Sequence, residues 1–218
     1  LLKIVKERLK DPDFFKGKSW TVVLWEDLDK IEVNNHLNYY RQIENVIEHF
    51  SLVYHKFKHS LNISVNNTNV EFWNPYEGAN STDEKELSFD SEGNKFKFKG
   101  HVLKHRSVFQ NEKDYKQQSL VGTFFQNQGI FVYRNKRLIY RGGWLNLFNK
   151  EHHYILARVE IDLPNSWNSD KSWDVNISKS SVRIPKFAES ELRPECNNIR
   201  SQANDTFRFH GGIKKHRI

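Results

Sequence analysis

The stretch Gln128–Tyr140, QGIFVYRNKRLIY, contains two runs of strand-forming residues separated by a short polar segment. The first run is 129–133 and the second is 137–140. Both are rich in β-branched and aromatic side chains, which favour strands. The intervening Arg134-Asn135-Lys136 contains an asparagine, a residue type common in turns. The stretch therefore predicts a strand, a turn and a returning strand.

Further strands are predicted on both sides of this stretch. Upstream, polar and apolar residues alternate over 95–103, KFKFKGHVL, and we interpret this as an exposed edge strand. Downstream, the run 154–162, YILARVEID, predicts another strand. Beyond it, Trp173, Val175 and Ile177 alternate with polar residues, and 182–184 resumes the pattern before a proline. This predicts two short strands joined by a loop that carries Lys179.

Two long helices are predicted, one in each half of the chain. The first begins after Asn34 or Asn35 and runs to about Phe57, because its apolar residues recur in steps of three and four. The second is the terminal helix, in which Pro194 occupies the first turn. Its predicted apolar face has four-residue spacing at Ile199, Ala203 and Phe207.

The remaining segments are shorter. The run 20–25, WTVVLW, predicts a buried strand, and 63–73 predicts a hairpin that turns at Asn66-Asn67. The polar and acidic stretch 79–94 is the best candidate for a linker between domains.

Composition limits the functional classes. Of 218 residues, 37% are hydrophobic and 14% aromatic, so the chain can bury a core. The net charge of +7 favours polyanionic partners. A single cysteine, Cys196, excludes an intrachain disulfide, and we expect a cytoplasmic location. No apolar run approaches the roughly 20 residues that span a bilayer, so we expect no membrane partner.

Candidate catalytic residues are few when they are judged by type and spacing alone. His101, His105 and the pair His152-His153 have neither the helical spacing of metal ligands nor a neighbouring carboxylate in the sequence, so we interpret them as structural. Cys196 has no recognisable base and is predicted to be a small buried residue. We therefore predict no metal site within the chain.

A resemblance to a known family extends these inferences. The segment 128–148, followed by His153–Arg158 (HYILAR) and Ile161–Ser166 (IDLPNS), resembles the bacterial MORC-like ATP-binding proteins of the GHKL superfamily, which includes gyrase, heat-shock chaperone, histidine kinases and MutL. The upstream segments TVVLWEDLDKI and VEFWNPY are also similar to that group. The resemblance covers nearly the whole chain.

The resemblance implies an α+β fold with two domains. Residues 1–78 would be the C-terminal part of a GHKL (Bergerat-type) α/β sandwich that binds nucleotide, and 79–94 the linker. Residues 95–218 would form a transducer domain. This is a two-layer βαββ arrangement of the ribosomal-protein-like type, with a left-handed βαβ crossover and a C-terminal helix.

The resemblance also implies a catalytic and ATP-binding role for Lys179. The stretch DVNISKSSVRIP is similar to the MutL-type loop whose lysine reaches the terminal phosphate of ATP. An ammonium group aimed at that phosphate is most effective in a cleft that excludes water. The small neighbours Ser178, Ser180 and Ser181 allow close approach of the backbone. This loop is one residue shorter than the MutL loop and lacks its His-Pro.

The resemblance gives Thr21 a role as well. It corresponds to the threonine of a G-T-x-V strand on the adenine side of the nucleotide, although Trp20 replaces the glycine. The Glu/Asn helix that holds Mg²⁺, the Asp-Gly-Gly stretch and the glycine-rich lid are not found before Trp20. Because the sequence also contains no methionine, we expect a fragment or processed product, or a sequence that has lost its methionines. In the intact protein, ATP and Mg²⁺ would be bound mainly by the missing N-terminal part. The fragment alone would be inactive.

Two functions remain open at this point. The first is the transducer portion of a switch ATPase that couples ATP binding and hydrolysis to domain rearrangement and homodimerisation. Its client would be DNA or RNA, with defence against phage suggested by analogy. The second is a non-catalytic basic module for nucleic-acid binding or dimerisation. It would use Lys95, Lys97, Lys99 and the basic tail 214–217.

Overall fold

The computed structural model describes residues 21, 23, 36–88, 95–163, 174–175 and 182–213. The chain divides into two compact units between Gln42 and Ile43. The first unit is described at Thr21, at Val23 and at the start of one helix. All further elements belong to the second unit, and together they form a mixed α+β structure, as predicted.

The predicted first helix is present. Helix α1 spans His36–Val53, and a 3₁₀ turn at His55–Phe57 follows it directly. Leu52 and Val53 are buried at its C-terminal end. The apolar stripe read from the sequence therefore reaches Phe57 through two consecutive helical segments, and the polar residues that follow begin a loop.

The predicted hairpin over 63–73 is shorter than expected. Strands β1 (Ser64–Val65) and β2 (Thr68–Asn69) pair antiparallel. Asn66 and Asn67 both have positive φ, at 49° and 64°. A two-residue loop with positive φ at both positions matches the twist of the flanking strands. Asparagine tolerates this left-handed conformation.

A five-stranded mixed sheet forms the centre of the second unit, in the order β3-β4-β7-β5-β6. β5 and β7 are parallel and the other neighbours are antiparallel. The strands are β3 (Ser81–Ser88), β4 (Lys95–Val102), β5 (Gly129–Arg134), β6 (Arg137–Arg141) and β7 (Ala157–Leu163). The hairpin of the opening stretch is confirmed, with Asn135 and Lys136 in its turn at φ of 49° and 64°.

Two predictions fail at the N-terminal side of this sheet. Residues 81–88 of the predicted linker 79–94 form strand β3, and β4 is an inner strand rather than an edge strand. The acidic residues of β3 lie opposite the lysines of β4, with Glu84 opposite Lys99 and Glu86 opposite Lys97. Cross-strand pairs of opposite charge stabilise a sheet, so the polar composition that suggested a linker belongs to a strand.

The predicted boundary between two domains at 79–94 is also absent. The buried side chains of Leu52, Trp73 and Tyr76 pack with Phe131 and Tyr133 in one hydrophobic cluster. Residues before and after the supposed linker thus share a core within the second unit.

Two short helices connect β4 to β5. They are α2 (Glu112–Gln117) and α3 (Phe124–Asn127). The Asn111 side chain accepts from the backbone N–H of Asp114 at the start of α2, and Thr123 forms a capping box with Gln126 at the start of α3. Such caps satisfy N–H groups that have no partner within the helix.

The C-terminal part contains β8 (Asp174–Val175), β9 (Val182–Arg183) and helix α4 (Lys186–Ile213). The terminal helix was predicted to begin at Pro194, and this prediction is wrong because Pro194 lies inside α4. The helix begins after Pro185 and buries Ala188, Leu192 and Cys196 before the predicted face is reached. Burial along this whole stripe outweighs the backbone hydrogen bond that a proline removes.

The two faces of the sheet differ in composition. The apolar face carries Phe96, Phe98, Val159 and Ile161, which pack with α4 residues in the larger hydrophobic cluster. The charged face carries the alternate positions, and its members are Lys95, Lys97, Lys99, His101, Phe131, Tyr133, Arg158, Glu160 and Asp162. These two names are used below.

Candidate functional site

The segment 176–181, which is predicted to be a loop with the catalytic lysine, falls in the sequence between β8 and β9. Asp174 pairs with Arg183, and Val175 pairs with Val182. Paired strands are thus present at 174–175 and 182–183, within the two predicted strand segments. Val182 is buried in the larger hydrophobic cluster, so β9 contacts the core of the second unit. Lys179 itself lies outside the described residues, and its role stays a prediction.

The second predicted site residue, Thr21, is described. It is exposed and lies outside regular secondary structure. Val23 is likewise outside any strand, with 71% of its surface exposed. The predicted buried strand is therefore not found at these two positions, because neither residue is paired or covered. The other residues of 20–25 lie outside the described part, and adenine contact by Thr21 stays a prediction.

The residues that carry the family resemblance have structural roles. Gly129 and Gly143 have φ of 101° and 93°. A Cβ atom on Gly129 would lie 2.2 Å from the Gly143 carbonyl oxygen, so only glycine allows this approach of the two backbones. The Trp144 indole is buried and donates to the Gln128 amide oxygen at 3.5 Å. The resemblance therefore falls on residues that shape the turn after β6.

Arg158, also part of the resembling segment, is fully buried without a described carboxylate partner. It donates to the carbonyl of Asn127 at 3.0 Å and to that of Gln118 at 3.3 Å. Burial lowers the pKa of Arg158 to about 9. Its guanidinium lies 5.8 Å from the Phe131 ring centroid. The side chain thus joins the β4–β5 connection to β7.

A cluster of charged side chains occupies the middle of the charged face. The Lys56 ammonium lies 2.5 Å from Glu160 Oε1 and 2.8 Å from Asp162 Oδ1. It also lies 3.8 Å above the Tyr133 ring centroid. The His101 Nε2–H donates to Glu160 Oε2 at 3.3 Å. One lysine from the turn after α1 therefore pairs with two carboxylates of β7.

Burial would raise the pKa of Glu160, but the hydrogen bond from His101 and the charge of Lys56 outweigh it and lower the pKa to about 2. The Nδ1 atom of His101 lies 3.1 Å from the Thr82 hydroxyl. Glu160 is thus held as a carboxylate in a buried setting.

A chain of buried hydroxyl and imidazole groups runs beside this cluster. Tyr76 donates to the Tyr133 hydroxyl at 2.9 Å, and Tyr133 donates to His55 Nε2 at 2.8 Å. Burial and the positive charge of Lys56 lower the pKa of His55 to about 4. His55 is therefore neutral and able to accept this hydrogen bond at neutral pH. Burial raises the pKa of Tyr76 and that of Tyr133.

The charged face opens into a cleft of about 620 Å³ next to the cluster. Five lysines line it together with three carboxylates: Lys56, Lys95, Lys97, Lys99, Lys136, Glu86, Glu160 and Asp162. Lys99 pairs with Glu84 at 2.9 Å, and Lys95 lies 4.0 Å from Glu86. Because most of its charges are paired, the cleft has only a weak excess of positive charge.

Sequence reasoning missed this cluster. His101 was interpreted as having no partner carboxylate, because Glu160 is distant in the sequence. One feature could have identified it: the run Arg158, Glu160 and Asp162 places a charge at every second position of an otherwise apolar strand. Buried charges are paired or hydrogen-bonded, so that alternation predicts partners from another element.

Within the described part of the chain, no group of three or more His, Cys, Asp or Glu side chains is arranged to hold a metal ion. None of the described helices is long and apolar enough to cross a membrane. No protein-family model matches the chain, and no curated protein and no solved structure is significantly similar to it.

Proposed function

We propose that the chain is the transducer portion of a GHKL-type switch ATPase. The observation that supports this most is the pairing of β8 with β9 on either side of 176–181, with Val182 of β9 buried in the core shortly before helix α4. In this proposal, a contact made by Lys179 is passed through β9 to the long helix that follows it. The five-stranded sheet covered by a helix is compatible with a two-layer transducer domain.

In this proposal, ATP and Mg²⁺ are held mainly by another part of the intact protein, and Thr21 contributes on the adenine side. Lys179 donates to the terminal phosphate, where its charge favours the transition state of hydrolysis. In this proposal, contact with the terminal phosphate orders the loop. Release of the phosphate after hydrolysis reverses this ordering of the loop. Homodimerisation and a nucleic-acid client in the cytoplasm belong to the same proposal.

Substitution of Lys179 tests this role in the intact protein. We expect Lys179→Ala to leave ATP affinity mostly unchanged and to reduce turnover about a hundredfold or more, because only the transition-state contact is lost. Lys113→Ala is the matched control, since Lys113 is an exposed lysine on α2. Turnover of Lys179→Ala at the wild-type rate would contradict the proposal.

The alternative function is a non-catalytic nucleic-acid-binding or dimerisation module. It is favoured by the lysines that line the charged cleft, of which Lys97 and Lys136 form no ion pair with a described carboxylate. Binding of this kind weakens by roughly 0.9 log units per log unit of salt for each phosphate contacted. Fluorescence anisotropy of labelled DNA and RNA at two salt concentrations tests it. Absence of binding at low salt would exclude the nucleic-acid-binding function.

A further inference from the structure

A second pocket lies between helix α1 and strand β6, away from the charged cleft. It has a volume of about 460 Å³. One face of α1 and the whole of β6 line this pocket. Its lining includes Glu48, Leu52, Val53, Arg137, Leu138 and Arg141. We call it the arginine pocket.

The lining combines an apolar floor with a few polar groups. Leu52, Val53, Val121 and Leu138 are buried beneath the pocket. Pockets of this size with apolar walls and a small number of convergent polar groups are the usual form of small-molecule sites. The floor would contact the apolar body of a ligand, and the polar rim would fix one charged group.

The rim carries an excess of unpaired positive charge. Neither Arg137 nor Arg141 forms an ion pair with a described carboxylate. The Nε atom of Arg137 is buried and has no hydrogen-bond partner in the described structure. Burial lowers the pKa of Arg141, and the charge of Glu48 acts in the opposite sense.

An ionised oxygen acid in the pocket would accept hydrogen bonds from the terminal N–H groups of both guanidinium groups. Guanidinium donors match the planar oxygens of a carboxylate or phosphate, and such charge-assisted hydrogen bonds are stronger than neutral ones. Glu48 sets a limit, because a ligand with several negative charges would meet its carboxylate. The fitting ligand therefore has one acidic group and an apolar or aromatic body.

We infer that the arginine pocket binds a small amphipathic anion, with its carboxylate or phosphate at Arg137 and Arg141 and its apolar part on the floor. This site is independent of Lys179 and of ATP turnover. Failure of the proposed ATPase function would leave it standing.

Nuclear magnetic resonance of the ¹⁵N-labelled full chain tests this inference through the Nε–Hε signals of its arginines. Phenyl phosphate and benzoate are the anionic probes and distinguish the two acid types, while benzyl alcohol is the neutral counterpart. We expect at least one anion to shift the Arg137 and Arg141 signals to saturation. Benzyl alcohol is expected to produce no saturable shift.

Three variants test which charged side chains determine the affinity for the anion. Arg141→Gln should weaken binding of the anion about tenfold or more, and Glu48→Gln should strengthen it several-fold by removing a like charge. Arg134→Gln, in the same hairpin but outside the pocket, should leave the affinity within about twofold. Arg141 and Arg134 are both exposed, so neither change threatens folding.

The inference is overturned if neither anion shifts these signals to saturation, or if benzyl alcohol binds as tightly as the anions. It is also overturned if Arg134→Gln weakens binding as much as Arg141→Gln, because that would indicate attraction by the overall charge.

Discussion

The apolar face of the sheet is covered by one continuous helix, whereas the charged face is covered by the segment that follows α1. On the apolar face, Phe98 and Ile161 belong to the same hydrophobic cluster as Ile199 of α4, and each is essentially inaccessible to solvent. On the charged face, Glu160 and Asp162 of the same strand as Ile161 meet Lys56. The two sets of contacts alternate residue by residue along β7.

The difference lies in how each face tolerates change. Apolar contacts contribute in proportion to the area removed from water, at about 25 cal/mol per Å². Buried charges contribute only when their pairing is complete, since desolvation opposes them and one missing partner leaves a charge uncompensated. The apolar face should therefore respond to lost volume, and the charged face to lost pairing.

The largest expected effect is on the apolar face. Phe98→Ala should lower the free energy of unfolding by about 3–5 kcal/mol, because it removes a fully buried ring and leaves a cavity. Urea unfolding followed by circular dichroism measures this. Phe209, an exposed phenylalanine near the end of α4, supplies the control, and Phe209→Ala should change stability by less than about 0.5 kcal/mol. Equal losses for the two variants would contradict the assignment of the core.

The next effect is on the charged face. Lys56→Met should cost about 2–4 kcal/mol, because it leaves Glu160 and Asp162 without their cation. Replacing Glu160 by glutamine in the same chain should restore part of this loss, since one of the two uncompensated charges is then removed. Urea unfolding of the two single variants and the double variant gives the coupling energy. Strict additivity would show that the pair is not coupled.

The pH dependence of stability sharpens the same contrast. The pKa of His55 is about 4 in the folded chain and near 6.5 when unfolded, so the unfolded chain takes up a proton first as the pH falls. His55 thus contributes fully above pH 6.5, and its contribution is lost between 6.5 and 4. Glu160, with a pKa of about 2, adds a further loss between 4.5 and 2.

Between pH 7 and 4.5, we expect the loss due to His55 to be about 2–3 kcal/mol. This part of the slope should be absent in His55→Gln and present in His59→Gln, which changes an exposed histidine on the same loop. Thermal or urea unfolding at the two pH values measures it. A slope that is unchanged in His55→Gln would show that this histidine is not held neutral.

The elements that the sequence predicts well are those whose pattern is local. The β5–β6 hairpin follows from strand-forming runs around Asn135, and α1 follows from a stripe of apolar residues. Strand β3 could not be predicted in this way. Its acidic residues have low strand propensity by themselves. They are stabilised by the lysines of β4, and these contacts between two elements are not visible in a local sequence pattern.

The charged cluster was missed for the same reason. Lys56, Glu160 and His101 come from three separate segments, and each resembles an ordinary surface residue in the sequence. The strands at 174–175 and 182–183 were predictable, because they depend on alternation within one short stretch.

The smallest effect is expected at the open edge of the charged face. Lys99 pairs with Glu84 across strands at 2.9 Å, but the Glu84 side chain is 56% exposed. Water screens such a pair, so Lys99→Ala should cost less than about 0.5 kcal/mol at low salt and nothing measurable at 1 M salt. The Lys56→Met loss should persist at both salt concentrations because that pair is largely buried. If the two lysines responded alike to salt, burial would not be what separates the paired centre of this face from its exposed edge.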